Sequence, residues 1–454
     1  MGETRIGPSV LIVPPASPGI LGGRSAAQPL LLRGARLPDG RIEDVTVADG
    51  VIVSVGGHPA GLPPRQLVDL RGYLLLPSLV EPHAHLGLTG PGGAIGRPAA
   101  GRGSWVTARS APAKADIATQ AWSSATRYLT AGTTAIRVHL DVGTESGLQA
   151  VEALLEVRAA LAGILEIQIV AAVSTPLTGP GGAASRALLR QALAAGADLA
   201  GAGPSVGDET RRTVEALATD AASAGAGLDV HIDETAGPAP QSLSRLIAIA
   251  EAGFGYPLTI SHLASLGTTK KERRQAERSL ASTGIGVVVL PRSGPLRHPG
   301  GIDAGSSRGP ILVRHLLEAG VPVAAGGDIS PQPTGPVGRA DPLGTASHLV
   351  AARLTPAEAI AAISTGGRQI MELPSVAVTQ GSPADLVAIR APDVWEAVTS
   401  VTTDRIVLRG GRVVARNLAT ADLARPGRAL ARSSWNLPIA LAATIYGPTT
   451  CRDG

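Results

Sequence analysis

The sequence predicts an α/β fold: a (β/α)8 TIM-type barrel with a small β-sandwich domain built from both chain ends. Three observations carry that expectation. Eight apolar runs of strand length alternate with helical patterns through the middle of the chain. Short β runs with turn signals flank this region on both sides. Histidines gather at the ends of the expected strands, where such a barrel keeps its chemistry.

Taken in order, residues 1–27 are rich in Pro, Gly and Ser and read as a flexible N-terminal extension. Residues 28–75 and 380–418 together make the small β domain. Leu30–Leu32, Val45–Val47 and Val51–Val55 read as strands, the last preceded by the hairpin signal Asp49-Gly50. Asp385–Arg390, Arg405–Arg409 and Arg412–Ala415, the last two around Gly410-Gly411, have the same character. Independent hairpins are marginal on their own, so the two ends are expected to share one domain. The barrel spans 76–379, with strands expected at Leu76–His85, Ala135–Val142, Glu166–Ser174, Asp198–Pro204, Leu228–Asp233, Leu258–Ala264, Gly286–Pro291 and Val321–Asp328. Between them lie helical runs such as Gly147–Ala162, apolar at three-and-four spacing, and Asp208–Ala224, which opens on acidic residues. A doubly wound open sheet is the alternative, but no Gly-rich phosphate loop follows the first strand. Residues 419–454 read as a C-terminal tail.

Composition narrows the function classes. Hydrophobic content of 44% with 17% charge is globular, and only 2% aromatic residues leave the core to aliphatic side chains. The net charge of +4 is spread over single arginines without a cluster or interleaved aromatics, which argues against a nucleic-acid partner. One cysteine, Cys451, excludes internal disulfides and Cys-rich metal motifs and fits a reducing cytoplasm. No convincing secretory signal stands near the start, and Leu437–Tyr446 is too short to span a bilayer. A cytoplasmic, membrane-free protein with a small-molecule substrate is the expectation, with homo-oligomerisation left open.

The chemistry lies in Leu74–Thr89, where an apolar run ends in His83-Ala84-His85. Residues two apart on a strand face the same way, so both imidazoles can meet one divalent metal. Of nine histidines, His83, His85, His139, His231 and His262 fall near the ends of expected strands one, two, five and six. Asp328 closes strand eight. His83, His85, His231 and Asp328 offer three neutral imidazoles and a carboxylate, a set suited to one Fe²⁺ or Zn²⁺ with a position open for water. Such a metal lowers the pKa of its water to about 7. Asp198–Pro204 contains no lysine that could bridge a second metal. On spacing, Glu234 either reaches that water or is a solvated loop carboxylate. His262 is a fifth ligand, a proton shuttle or a core residue. His139 and Asp141 read as supports that orient the ligands.

These residues resemble the amidohydrolase superfamily, and within it the bacterial cytosine deaminase branch, from residue 29 to about 416. The resemblance rests on Leu-Pro-Ser-Leu-Val-Glu-Pro-His-Ala-His-Leu, Arg-Val-His-Leu-Asp-Val at 137–142, Asp-Val-His-Ile-Asp-Glu at 229–234, Ile-Ser-His at 260–262 and Asp-Pro-Leu-Gly-Thr-Ala at 341–346. It implies that His83, His85, His231 and Asp328 hold the metal. Glu234 would protonate the ring nitrogen beside the attacked carbon, and His262 with Asp328 would hold the attacking water and move its proton. The departures cluster where substrate is read. Gly87 stands in place of an aspartate, Ser174 in place of the glutamine that reads cytosine, and Ile329 in place of a second aspartate. Trp105 is the one aromatic near enough to replace the rings that sandwich a pyrimidine. Losing polar readers weighs against cytosine itself.

The expected function is hydrolytic deamination of a small cyclic amidine. A cyclic amide or imide ring hydrolase is the alternative within the enzyme class. A metal-retaining binding protein without activity is the alternative outside it.

Overall fold

Apolar runs four to eight residues long, too short for helices and bounded by glycine, become fully buried parallel strands when helices cover them. The computed structural model describes residues 4–5, 10–12, 29–57, 59, 66–86, 113–143, 148–173, 176–202, 209–232, 241–263, 266, 269–291, 308–328 and 339–418. Eight parallel strands follow one another in sequence order: β1 (Leu79–Ala84), β2 (Thr133–Asp141), β3 (Glu166–Val173), β4 (Leu199–Ala202), β5 (Gly227–Ile232), β6 (Leu258–His262), β7 (Gly286–Val289) and β8 (Val323–Ala325). Each is followed by a helix: α1 (Lys114–Thr130), α2 (Gln149–Ala160), α3 (Gly182–Ala195), α4 (Glu209–Ser223), α5 (Gln241–Glu251), α6 (Lys270–Thr283), α7 (Arg308–Glu318) and α8 (Pro342–Ala351). The barrel is nearly closed. Asp328 N–H donates to the His83 carbonyl at 3.2 Å, bringing the chain beyond β8 back to β1. The helix–strand core is aliphatic, as the composition requires, with Leu, Ile, Val and Ala from every strand buried in it.

Two further helices, α9 (Pro356–Ala362) and α10 (Thr365–Ile370), lie against β8, and the Ile363 carbonyl between them accepts from Val80 N–H at 2.8 Å. Helix α9 starts in a full capping box. The Thr355 hydroxyl accepts from Glu358 N–H at 3.2 Å, and the Glu358 carboxylate accepts from Thr355 N–H at 2.7 Å. Thr355→Ala is expected to lower stability by about 1 kcal/mol in urea denaturation, with Thr355→Ser close to the parent; no change would refute the role of the cap.

The second sheet takes strands from both chain ends. Its order is Thr4–Arg5, Val10–Ile12, Arg412–Asn417, Arg405–Arg409, Leu386–Arg390, Tyr73–Pro77, Leu30–Arg36, Ile42–Ala48 and Val51–Val55, with Gln66–Asp69 paired to Leu30–Arg36 on the side. Asp49 and Gly50 both have positive φ (50° and 81°), as do Gly410 and Gly411 (53° and 75°), which is the backbone a two-residue hairpin turn requires. One sequence expectation is corrected. Leu76–His85 is not one strand: Tyr73–Pro77 pairs with Leu386–Arg390 in the small sheet, and β1 starts at Leu79. The break falls at Pro77-Ser78, where Ser78 N–H donates to the Asp385 carbonyl at 3.0 Å. A buried pair ties the sheet to the barrel, with Arg405 held in two contacts of 2.8 Å by Asp341, the cap of α8.

Among the described residues no helix is long and apolar enough to cross a membrane.

Candidate metal centre

Alternation along three strands builds much of the site at their C-terminal ends. On β1, Glu81 and His83 share a face that His85 continues; on β5, Asp229 and His231 share one; on β2, Arg137 and His139 do. His83 and His139 are fully buried, and His85, His231 and Asp328 are 7–8% exposed. His83 Nε2 lies 3.1 Å from His231 Nε2 and 3.7 Å from Asp328 Oδ1. His85 Nε2 lies 3.3 Å from the same oxygen. The His262 ring centroid is 5.3 Å from that of His231 and 5.6 Å from that of His83. The expected residues His83, His85, His231, His262 and Asp328 are therefore together. Glu234, Trp105, Ser174 and Ile329, with Gly87, lie outside the described residues.

His262 arrives by an irregular route. Along β6 the hydroxyl of Ser261 reaches His83, so strict alternation would turn its neighbour His262 away. The backbone leaves extended geometry at that point, with φ of 76° at His262 and 49° at Leu263. Asp328 is likewise left-handed, with φ of 48°. Non-glycine residues hold such angles only where the surroundings impose them, and here they fall on two members of the cluster.

The donor set fits a cation. Burial, with the neighbouring imidazoles second, holds the His83 ring well below its ordinary pKa and brings His231 down to about 3. At neutral pH both rings are neutral. Among the described residues the Ala202 carbonyl, at 3.3 Å, is the partner of His231 Nδ1; a carbonyl can only accept, so the nitrogen carries the hydrogen and donates. His83 Nδ1 lies 2.9 Å from the Ser261 hydroxyl, which itself donates to Asp229 Oδ1 at 3.0 Å; the serine must therefore accept from His83. Both Nε2 atoms are left with lone pairs that face one another across 3.1 Å beside a carboxylate. Two lone pairs and a carboxylate converging in a buried site repel unless a cation sits among them.

The residues beneath the cluster went unrecognised in the sequence. Arg137 Nη1 donates to Asp229 Oδ2 at 2.8 Å and to Thr259 Oγ1 at 3.0 Å, while its other nitrogens reach Gln168 and the Ile370 carbonyl. Burial raises the Asp229 carboxyl despite the opposing pull of Arg137 and Ser261. Glu81, whose carboxyl burial pushes up to about 8, accepts from Gly327 N–H at 2.9 and 3.1 Å and so holds the turn that presents Asp328. The available signal was the two-residue step, since Glu81, Asp229 and Arg137 each precede a histidine by two. His139 does not orient His83 by a hydrogen bond. Its ring packs on His83, centroids 4.0 Å apart, and neither of its nitrogens has a hydrogen-bond partner among the described residues. Asp141, at the end of β2, is partly exposed.

The model of the Amidohydrolase family matches residues 106–415, more than half of the chain. The chain belongs to the amidohydrolase family. This amidohydrolase is 29% identical over 396 residues to a pterin deaminase of Rhizobium rhizogenes, covering 83% of this chain and 88% of that one. Among solved structures it is similar to N-isopropylammelide isopropylaminohydrolase from Burkholderia multivorans, with TM-score 0.70 and 27% identity, covering 86% of this chain and 99% of that chain. It also shares its fold with 5-methylcytosine deaminase from Klebsiella pneumoniae, with TM-score 0.71 and 23% identity, covering 88% and 99%. The amidohydrolase is thus an enzyme that hydrolyses carbon–nitrogen bonds, from a metal-dependent family, and it carries a His/Asp cluster able to hold a metal.

Proposed function

We propose that this amidohydrolase deaminates a small cyclic amidine other than cytosine, with one Fe²⁺ or Zn²⁺ held by His83, His85, His231 and Asp328. The observation that carries the reading is the pair of Nε2 lone pairs on His83 and His231, 3.1 Å apart beside Asp328. When bound, such a cation makes a water molecule acidic enough to ionise near neutral pH. The chain's own residues then manage the protons. Asp328, helped by His262, takes the proton of the water whose oxygen bonds to the amidine carbon. Glu234 gives a proton to the adjacent ring nitrogen, so that the C=N electron pair has somewhere to go. The proton held by Asp328 and His262 passes to the amino nitrogen, which leaves as ammonia, and Glu234 recovers its own proton as the carbonyl forms.

Similarity to a pterin deaminase and to an isopropylaminohydrolase supports loss of an amine over ring opening. Gly87, Ser174 and Ile329, which the resemblance aligns with the residues that read cytosine, point away from cytosine. The single cysteine fits a cytoplasmic location.

The test is ammonia release by the protein loaded with Fe²⁺ or Zn²⁺, across cytosine, isocytosine, creatinine, pterins and triazines. Turnover is expected on a cyclic amidine other than cytosine, falling roughly 10²–10⁴-fold in Glu234→Gln. No ammonia from any compound, or equal turnover in the variant, would overturn the deaminase reading. Ring opening without ammonia would mark a cyclic amide or imide hydrolase instead, and tight metal binding without turnover a binding protein.

A further inference from the structure

His83 is the member common to all three clusters of potential ligands in the described residues. Which of its nitrogens carries the hydrogen decides whether a lone pair faces the metal position. That choice is made below the site, where water has no access: His83, Ser261 and Asp229 are fully buried and Arg137 is 1% exposed. The order of donors is fixed from the bottom upward. The Arg137 guanidinium donates to Asp229 Oδ2 at 2.8 Å, which leaves Asp229 Oδ1 to accept from the Ser261 hydroxyl at 3.0 Å. With its hydrogen committed, Ser261 can only accept from the imidazole, 2.9 Å away. β5 and β6 make this contact by register, since His231 lies beside Ser261 and Asp229 beside Thr259.

We propose that Ser261, held by Asp229 and Arg137, is a positioning residue that keeps the hydrogen of His83 on Nδ1 and thereby sets the metal affinity of the centre. The inference rests on the metal-centre reading above. Ser261 acts through His83, which its hydroxyl meets at 2.9 Å. A serine between imidazole and carboxylate serves the purpose because Asp229 Oδ1 also stands 3.7 Å from His139 Nε2. The hydroxyl therefore gives His83 a partner of its own. Without it, nothing else among the described residues is shown to accept from Nδ1, and a hydrogen on Nε2 would block the ligand position.

The experiment uses the full chain with isotope-labelled histidine, stripped of metal, and identifies the His83 ring signal by its loss in His83→Gln. Long-range proton–nitrogen correlation reads the tautomer, and competition with a chromogenic chelator reads Zn²⁺ affinity. In the parent the hydrogen is expected on Nδ1. Ser261→Ala is expected to move it toward Nε2 and to weaken Zn²⁺ binding about 10- to 100-fold, while Ser261→Thr, which keeps the hydroxyl, restores both. A hydrogen on Nε2 in the parent would overturn the proposal, even if no variant folds. Zn²⁺ bound as tightly by Ser261→Ala as by the parent would overturn it as well. A parent that binds Zn²⁺ no better than His231→Ala would overturn the metal-centre reading, and the proposal with it. The metal-free tautomer measurement distinguishes the two failures.

Discussion

His231→Ala is expected to lose its bound metal and to lower ammonia release by about 10³-fold or more. The reason is geometric. His231 Nε2 and His83 Nε2 face each other at 3.1 Å, and removing His231 would leave a cation with three of its four proposed ligands, His83, His85 and Asp328. A metal that polarises water contributes several kcal/mol to such a barrier, and about 4 kcal/mol is already a thousandfold. His139→Ala is the comparison that gives the result meaning. His83, His139 and Asp229 also lie close enough together to share an ion. A cation placed there would face the Arg137 guanidinium, 2.8 Å from Asp229, with no solvent to screen it. His139→Ala should therefore keep its metal. Metal analysis of both purified variants decides the matter: retention in His231→Ala together with loss in His139→Ala would put the ion at the other cluster.

Much of this site can be read from the chain because a two-residue step survives folding. His83 and His85 share a side by alternation, and the strand ends that carry His231 and Asp328 follow from counting eight apolar runs. Buried parallel strands read as near-continuous Val, Ile, Leu and Ala, which is why all eight were placed. What was missed required knowledge of neighbours. The run Leu76–His85 reads as one strand, and only the Asp385 carbonyl, from the far end of the chain, shows that Ser78 leaves one sheet for another. Ser261 and Asp229 become partners of His83 once β5 and β6 are paired in register and β1 is brought across the barrel. His262 is legible by its place at the end of the sixth strand, but the route by which it joins the cluster is not. Its ring reaches the cluster through left-handed backbone at His262 and Leu263, a geometry that no residue preference in Ile-Ser-His-Leu announces.

Arg137→Met is expected to be the most destabilising substitution beneath the site, by about 3–5 kcal/mol, or on the order of 10 °C in Tm. Arg137 is buried, and its guanidinium serves Asp229, Thr259, Gln168 and the Ile370 carbonyl together. Methionine fills most of the volume but leaves the Asp229 carboxylate without its counter-charge in a place water cannot reach. Most of the expected loss is that stranded charge. The order of effects follows from this. Arg137→Met combined with Asp229→Asn should recover at least half of the lost stability, because the amide removes the charge while its oxygen still accepts from Ser261. Urea denaturation of the parent, the single and the double variant measures the difference. If Arg137→Met unfolds at the parent's urea concentration, the buried pair contributes little. If the double variant is no better than the single one, the loss comes from the guanidinium's other hydrogen bonds and not from the charge of Asp229. In the expected case, the same pair that fixes the hydrogen of Ser261 is also a main support of the barrel interior, so the metal centre and the fold beneath it depend on one ion pair.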